Sequence, residues 1–149
     1  TGLTLSKDAL NNLKPRIRMI VLYAVAATKH GLVIGTDNAA ERYTGYFTKH
    51  GDGACDILPL GHLLKSEVLA TAKMFGLSEE ITKRIPTAGL YEGQTDEEEM
   101  GVTYRELDDY LLGKPIAEKA RARIEYLHEV SRHKVEPIPM PKPFKRKEK

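Results

Sequence analysis

The 149-residue sequence predicts an α/β protein with a parallel sheet flanked by helices. Three observations lead there. A helical apolar period over residues 11–28 is followed at once by the short run Leu32 to Ile34, bounded by Gly31 and Gly35. A wholly apolar run of that length, rich in β-branched residues, is the pattern of a strand covered on both faces, as in parallel sheets. The next segment, GTDNAAERYTGYFTKHGDGACD, is crowded with small residues and charges, and in such sheets ligands sit beyond the carboxyl ends of the strands.

In the first helix, Ile17, Ile20, Val21, Ala24 and Val25 fall at steps that make one apolar stripe. Pro15 fits near the helix start, where a missing N–H costs little, and Gly31 is placed to end the helix or the turn after it. A further helix is expected to begin within GTDNAAE. LLKSEVLATAKMFG predicts a helix stopped by Gly76, and Ser78 is placed to cap EEITKRI, which Pro86 terminates. Residues 87–101, TAGLYEGQTDEEEMG, hold no sustained period and are expected to form a long polar loop. Thr103 and Glu106 make a capping box for YRELDDYLL, closed by Gly113. In IAEKARARIEYLHEVSR, Ile116, Ala120, Ile124 and Leu127 form a core stripe, and PIPMPKPF after it is extended.

The length suits one domain with a real core, and 41% hydrophobic against 30% charged residues is the balance of a globular chain. No apolar run approaches the roughly 18–20 residues of a membrane span, and no signal-peptide pattern is present. The single Cys55 rules out an internal disulfide and suits a reducing compartment, so a cytoplasmic location is expected. A net charge of +2 gives no reason to expect a nucleic-acid or membrane partner. Charge is unevenly spread all the same. Asp96 to Glu99 read DEEE, and residues 141–149 form a basic tail that is either a solvated terminus or a contact for an anionic partner.

Several side chains are candidates for chemistry. Thr36 and Asp37 precede a helix N-terminus, which favours anions, so they are either caps or ligand contacts. Glu41, one turn in, is either an exposed helix glutamate or a carboxylate able to hold Mg²⁺ together with phosphate oxygens. Lys49, Asp52 and Asp56 flank Gly51 and Gly53, which marks either a tight turn or a place where backbone meets a ligand. Arg16 and Arg18 point to different sides of a helix, so one of them can reach a cleft while the other meets solvent. Lys65 near a helix start opposes the dipole, so it is either exposed or paired with an anion. His133 and Lys134 sit at a helix C-terminus, where a structural role suffices. The other histidines show no zinc spacing, Cys55 reads as a small packed residue, and no GxGxxG fingerprint is present.

The pieces KPRIRM, LVIGTDNAAE, TGYFTKHGDGACDILPL, LLKSEV, PTAGLYEGQTDEEEMG, YRELDDYLLG and RHK, in this order, resemble the C-terminal half of ammonia-dependent NAD synthetase. The resemblance covers residues 11 to about 140 and implies a Rossmann-like fold of the N-type ATP pyrophosphatases, working as a homodimer. It implies amidation of deamido-NAD with ammonia, driven by Mg²⁺-ATP through an acyl adenylate, with AMP and pyrophosphate released. By motif position it implies ATP contacts at Thr36, Lys65 and Thr87, a magnesium ligand at Glu41, and deamido-NAD contacts at Arg16, Lys49, Asp56, His133 and Lys134. Residues 88–101 match the family's mobile segment. The family's SGGxDS phosphate loop is not in this sequence. The expectation is therefore a domain incomplete at its N-terminal side, whose residues alone do not turn over ATP. Two alternatives stand beside it: another N-type ATP pyrophosphatase, or a non-catalytic nucleotide-binding or dimerisation module.

Overall fold

The computed structural model describes residues 2–144. In chain order it holds α1 (Lys7–Lys29), α2 (Ala39–Thr44), α3 (Lys65–Met74), α4 (Glu79–Thr82), α5 (Asp96–Met100), α6 (Tyr104–Leu111), α7 (Glu118–Ser131) and a closing 3₁₀ turn, Arg132–Lys134. A parallel bridge joins Ile34 to Ile57, with α2 between the two partners in sequence.

Helix α1 starts earlier than the apolar period predicts. Ser6 caps it by accepting from the Ala9 N–H at 3.2 Å, so Pro15 lies inside the helix rather than at its start. The ring breaks one helical hydrogen bond and gains a packing role, being the buried residue of α1 and lying against Gly51. The helix ends with His30 in the left-handed region at φ 52° and the Gly31 N–H reaching back to the Ala26 carbonyl at 2.8 Å.

The stripe expected to face a core does not do so. Ile17, Ile20, Val21 and Val25 are all more than half exposed, and Ala24 is exposed too. The N-terminal half of α1 makes the attachments instead. Thr48 Oγ1 donates to Asn12 Oδ1 at 2.7 Å, Arg16 Nε donates to the Lys49 carbonyl at 3.3 Å, and the Lys14 ammonium donates to the Leu90 carbonyl. The predicted strand behaves alike. Val33 is buried, whereas Leu32 and Ile34 are exposed. Three hydrogen bonds form the rung: Gly35 N to Ile57 O at 2.8 Å, Asp56 N to Val33 O at 2.9 Å and Ile57 N to Val33 O at 3.2 Å. An apolar run becomes a covered strand only where other chain pairs with it. Among the described residues only one rung of the expected parallel sheet is present.

The core lies where α2, α6 and α7 meet. Ala40, Met100, Val102, Tyr104, Leu107, Ala120 and Ile124 are buried together, with Ile116 and Leu127 packed against them. Both expected features of this region are present: the stripe on α7 and the capping box on α6, where the Glu106 N–H reaches Thr103 Oγ1 at 3.1 Å and the Thr103 N–H reaches Glu106 Oε2 at 2.8 Å. The segment 87–101, expected as a loop, carries α5 within it. Thr95 accepts from the Glu98 N–H at 3.4 Å, and Asp96 to Glu99 fill the first turn. Acidic side chains are favoured at that end of a helix, and one turn is too short to show a period. Helix α4 stops at Thr82 instead of running to Pro86, and Ser78 makes no side-chain cap to it. Residues 141–144 are exposed and carry no regular secondary structure; the rest of the expected basic tail, residues 145–149, lies outside the described residues.

Ile124, with no exposed surface, is expected to lose about 2–5 kcal/mol of stability on replacement by Ala, by analogy with large-to-small core changes. Val25→Ser on the open face of α1 should change stability by about 0.5 kcal/mol or less. Equilibrium denaturant unfolding of the three chains checks both values.

Candidate functional site

Helix α2 begins where the chain leaves the bridge. Asn38 caps it: its Oδ1 accepts from the Glu41 N–H at 3.1 Å, and its own N–H donates to Glu41 Oε2 at 2.9 Å. That box commits one oxygen of Glu41 to the helix end. The other, Oε1, faces Lys65 Nζ at 3.4 Å and the Tyr104 hydroxyl at 3.0 Å. The Lys65 ammonium also sits over the Tyr104 ring, 4.3 Å from its centre. The Lys65 and Glu41 side chains are 19% and 16% exposed, so salt screens this pair less than a surface one. Lys65 is thus paired with an anion, and Glu41 is not a free surface glutamate.

Asp108 explains how a lysine can open α3. This buried residue of α6 accepts from the backbone N–H groups of Lys65 at 3.0 Å and Ser66 at 2.9 Å. One carboxylate therefore satisfies two orphan donors and meets the positive end of the helix dipole. The opposing charge of Lys65 is absorbed by Glu41.

A second carboxylate converges on Tyr104. Asp96, buried on α5, places Oδ2 2.9 Å from the Tyr104 hydroxyl, and its Oδ1 has no hydrogen-bond partner among the described residues. Burial first, then the charges of Glu41 and Asp96, push the Tyr104 phenol far above its ordinary range. It stays protonated, with one hydrogen for two acceptors. Neighbouring bonds hold the same segment. The Tyr46 hydroxyl donates to Glu99 Oε2 at 2.7 Å, Gln94 Nε2 donates to that oxygen at 2.6 Å, and Gln94 Oε1 accepts from the Leu90 N–H at 2.8 Å.

Beside this cluster a cleft of about 630 Å³ opens at the carboxyl end of the bridge, its wall including Arg18, Thr36, Tyr46, Asp52, Glu99 and Lys134. Glu41 and Lys65 are not on that wall. Of the two arginines on α1, Arg18 is the one lining the cleft; Arg16 is spent on the Lys49 carbonyl. Arg16, Lys49, His133 and Lys134 are brought together, but through backbone. The Lys49 ammonium donates to the His133 carbonyl, and Lys134 Nζ donates to the carbonyls of Gly45 at 2.7 Å and Phe47 at 2.8 Å. Burial, with Arg16 nearby, holds the Lys134 ammonium below its usual pKa. Gly45 has φ 64°, and a Cβ there would meet Ser131 Cβ at 2.2 Å, so the turn gripped by Lys134 requires glycine.

The remaining candidates are placed separately. Asp56 accepts from the Val33 N–H at 2.8 Å and so fastens the bridge. Thr87 accepts from the Gly89 N–H at 3.1 Å in a local turn. Gly53 packs under the Phe47 ring, 2.2 Å from where its Cβ would stand, which makes the tight-turn reading of that loop sufficient. Tyr104, Asp108 and Asp96 were not singled out from the sequence for chemistry. Two signals pointed to them: Tyr104 and Asp108 are four residues apart on one helix face, and Thr95 followed by acidic residues is a helix-start pattern.

A parallel bridge followed by a capped helix start, with a charged cleft beyond it, is the arrangement in which α/β folds place their ligands. The comparisons with known proteins narrow this. The family model described as NAD synthase matches residues 4–148. An NH(3)-dependent NAD(+) synthetase of Alkaliphilus oremlandii is 53% identical over 142 residues, covering 95% of this chain and 56% of that protein. Among solved structures, one titled NMN synthetase from Francisella tularensis is 51% identical with a TM-score of 0.87, over 89% of this chain and 56% of that one. An NH3-dependent NAD synthetase from Campylobacter jejuni, in complex with nitrate, is 31% identical with a TM-score of 0.70, over 93% of this chain and 58% of that one. The chain belongs to the NAD synthase family, and it spans just over half the length of these relatives. No described helix is long and apolar enough to cross a membrane.

Asp37 gives this region a pH signature. It is buried, one of its oxygens has no hydrogen-bond partner among the described residues, and Arg42 stands 3.7 Å away. Burial, then Asp52 and Glu41, raise its pKa from 3.8 to about 7. Between those values the folded chain keeps a proton that the unfolded chain has released, so stability falls as pH rises through that window. Thermal midpoints measured from pH 4 to 8 should show the fall, and Asp37→Asn should flatten it.

Proposed function

We propose that the natural protein containing these residues is an ATP-dependent ligase that amidates the nicotinate carboxylate of deamido-NAD with ammonia. The carboxylate attacks the α-phosphorus of ATP, pyrophosphate leaves, and the acyl adenylate is opened by ammonia to give the amide, AMP and a proton. The observation that carries this reading is the Glu41–Lys65 pair, held by α6 beside the strand-end cleft of a chain in the NAD synthase family. Two anions must meet in this reaction, so cationic side chains have to offset their repulsion. In this reading Lys65 contacts ATP from the start of α3, Thr87 from the loop after α4 and Thr36 from the cleft wall. Arg16, Lys49, Asp56, His133 and Lys134 serve the dinucleotide, the arginine and the lysines with their charge and Asp56 by accepting hydrogen bonds.

Magnesium fits the residues present. Glu41 Oε1 is left over by the helix cap on a side chain 16% exposed, and the buried Asp96 Oδ1 has no hydrogen-bond partner among the described residues. Glu41 would hold the ion, and the charge it supplies would neutralise phosphate oxygens and stabilise the pyrophosphate leaving group. The single bridge is read here as one rung of a larger parallel sheet. The exposed Leu32, Ile34 and Ile57 and the greater length of the relatives support that, as they support a homodimer covering part of the open α1 face. A cytoplasmic site of action belongs to this reading and suits the single free Cys55.

A second reading keeps the chemistry and changes the acceptor. The likeness to the Francisella structure titled NMN synthetase favours the mononucleotide, nicotinate mononucleotide, as substrate. Steady-state rates of the natural protein with each acceptor decide: a higher kcat/KM for deamido-NAD supports the first reading and the reverse supports the second. Amide formation from neither overturns both.

Lys65→Ala is expected to raise the KM for ATP by about tenfold or more, the scale of one charge-assisted hydrogen bond, with a smaller effect on the acceptor. Glu41→Gln keeps an oxygen for the helix cap, so it should lower Mg²⁺-dependent turnover while leaving the thermal midpoint near the parent's. Kinetics at varied ATP and Mg²⁺, with a melting curve for each variant, check these outcomes.

A further inference from the structure

Residues 87–95 form a loop closed at its base. The Asp96 N–H donates to the Pro86 carbonyl at 3.1 Å, so the residue before Thr87 and the first residue of α5 are fastened together. Within the loop, Gly89 and Gly93 take left-handed φ values of 62° and 76° with open space where a Cβ would stand. The side chain of the closing residue is the one that reaches Tyr104. Asp96 Oδ2 lies 2.9 Å from the phenol oxygen, and its Oδ1 has no partner among the described residues. The phenol is therefore the side-chain partner of this buried carboxylate. On its other side the same phenol oxygen lies 3.0 Å from Glu41 Oε1, and the face of its ring carries the Lys65 ammonium at 4.3 Å.

We propose that Tyr104 is a positioning residue that couples the base of the 87–95 loop to the Glu41–Lys65 pair through one hydroxyl hydrogen shared between Asp96 and Glu41. The inference rests on the reading of Glu41 as the carboxylate that meets Mg²⁺. A single hydrogen cannot fully serve two carboxylate oxygens. While Glu41 has only Lys65 and Tyr104 to answer its charge, it competes with Asp96 for that hydrogen. Once a divalent cation answers Glu41, the hydrogen passes wholly to Asp96, whose buried carboxylate has the greater need of it. The bond that tightens is the one from the Tyr104 hydroxyl to Asp96 Oδ2, and it steadies the residue whose N–H closes the loop on the Pro86 carbonyl. The loop bearing Thr87 is thereby ordered in step with filling of the metal–nucleotide position.

The test reads order in the loop without turnover. Hydrogen–deuterium exchange is followed at residues 86–101 of the natural protein, with Mg²⁺ and ATP added and both acceptor and ammonia withheld. In the parent, Mg²⁺ with ATP is expected to slow exchange there by about tenfold, the scale of one hydrogen bond to a charged group, while ATP with EDTA does not. Tyr104→Phe keeps the ring under Lys65 and should abolish that slowing. In turnover assays the same variant should raise the half-saturating Mg²⁺ concentration about tenfold, with the KM for the acceptor little changed. The same slowing in Tyr104→Phe as in the parent, or none in the parent, overturns the inference. If Tyr104→Phe does not fold, Asp96→Asn carries the same measurement, and an undiminished slowing overturns the inference equally. A parent that amidates neither acceptor defeats the proposed activity, and its exchange result still judges the coupling.

Discussion

The contact on which this site depends is the buried carboxylate of Asp108 against the first two backbone N–H groups of α3. Helix α3 buries no residue of its own, so apolar packing does not fix its position. A carboxylate accepting two N–H bonds at the positive end of a helix fixes both the place and the direction of that end. Because Lys65 is the first residue of α3, its ammonium is delivered to one point, over the Tyr104 ring and beside Glu41. Helix α6 is rigid enough to do this. It is opened by its own capping box and buries Tyr104 and Leu107 in the core. One face of a two-turn helix thus supplies the anchor for α3, the phenol for two carboxylates and part of the hydrophobic core.

The charge arrangement follows from that geometry. Glu41 would be a poorly compensated carboxylate if α2 were alone, with one oxygen used by the cap of Asn38. The lysine from α3 and the phenol from α6 answer the other oxygen. Asp37 and Asp96 are answered less completely, and among the described residues each keeps a buried oxygen without a hydrogen-bond partner. Burying carboxylates in this condition costs stability.

The sequence was informative where physics is local. The capping box at Thr103, the stop at Gly76, the stripe of Ala120 and Ile124 and the helix start after Gly35 depend on residues within one or two turns, and all are present. Lys65 was legible as an anomaly, since a cation at a helix start needs an anion; which anion was not, because Glu41 lies 24 positions away. Asp108 and Tyr104 looked like ordinary members of an amphipathic helix, and their partners come from three other segments. The acidic run at Asp96 was plain, but the one-turn helix it opens was hidden by brevity. The apolar run at Val33 and the stripe on α1 misled in another way. Hydrophobic period reports that a surface is to be covered, and it does not say by which part of a protein.

That uncovered surface governs how these 149 residues behave in a test tube. Along α1 the side chains of Ile17, Ile20, Val21 and Val25 stand in water, with Leu32 and Ile34 at its end. Water is excluded from such an area by whatever apolar material is at hand, whether a fluorescent dye, a chaperone, a column matrix or a neighbouring molecule. The practical outcome is colloidal: preparations of this chain will be limited by clumping at concentrations where its folded core is still intact. Mild detergent or low protein concentration will extend their lifetime more than added salt, which strengthens the very attraction responsible.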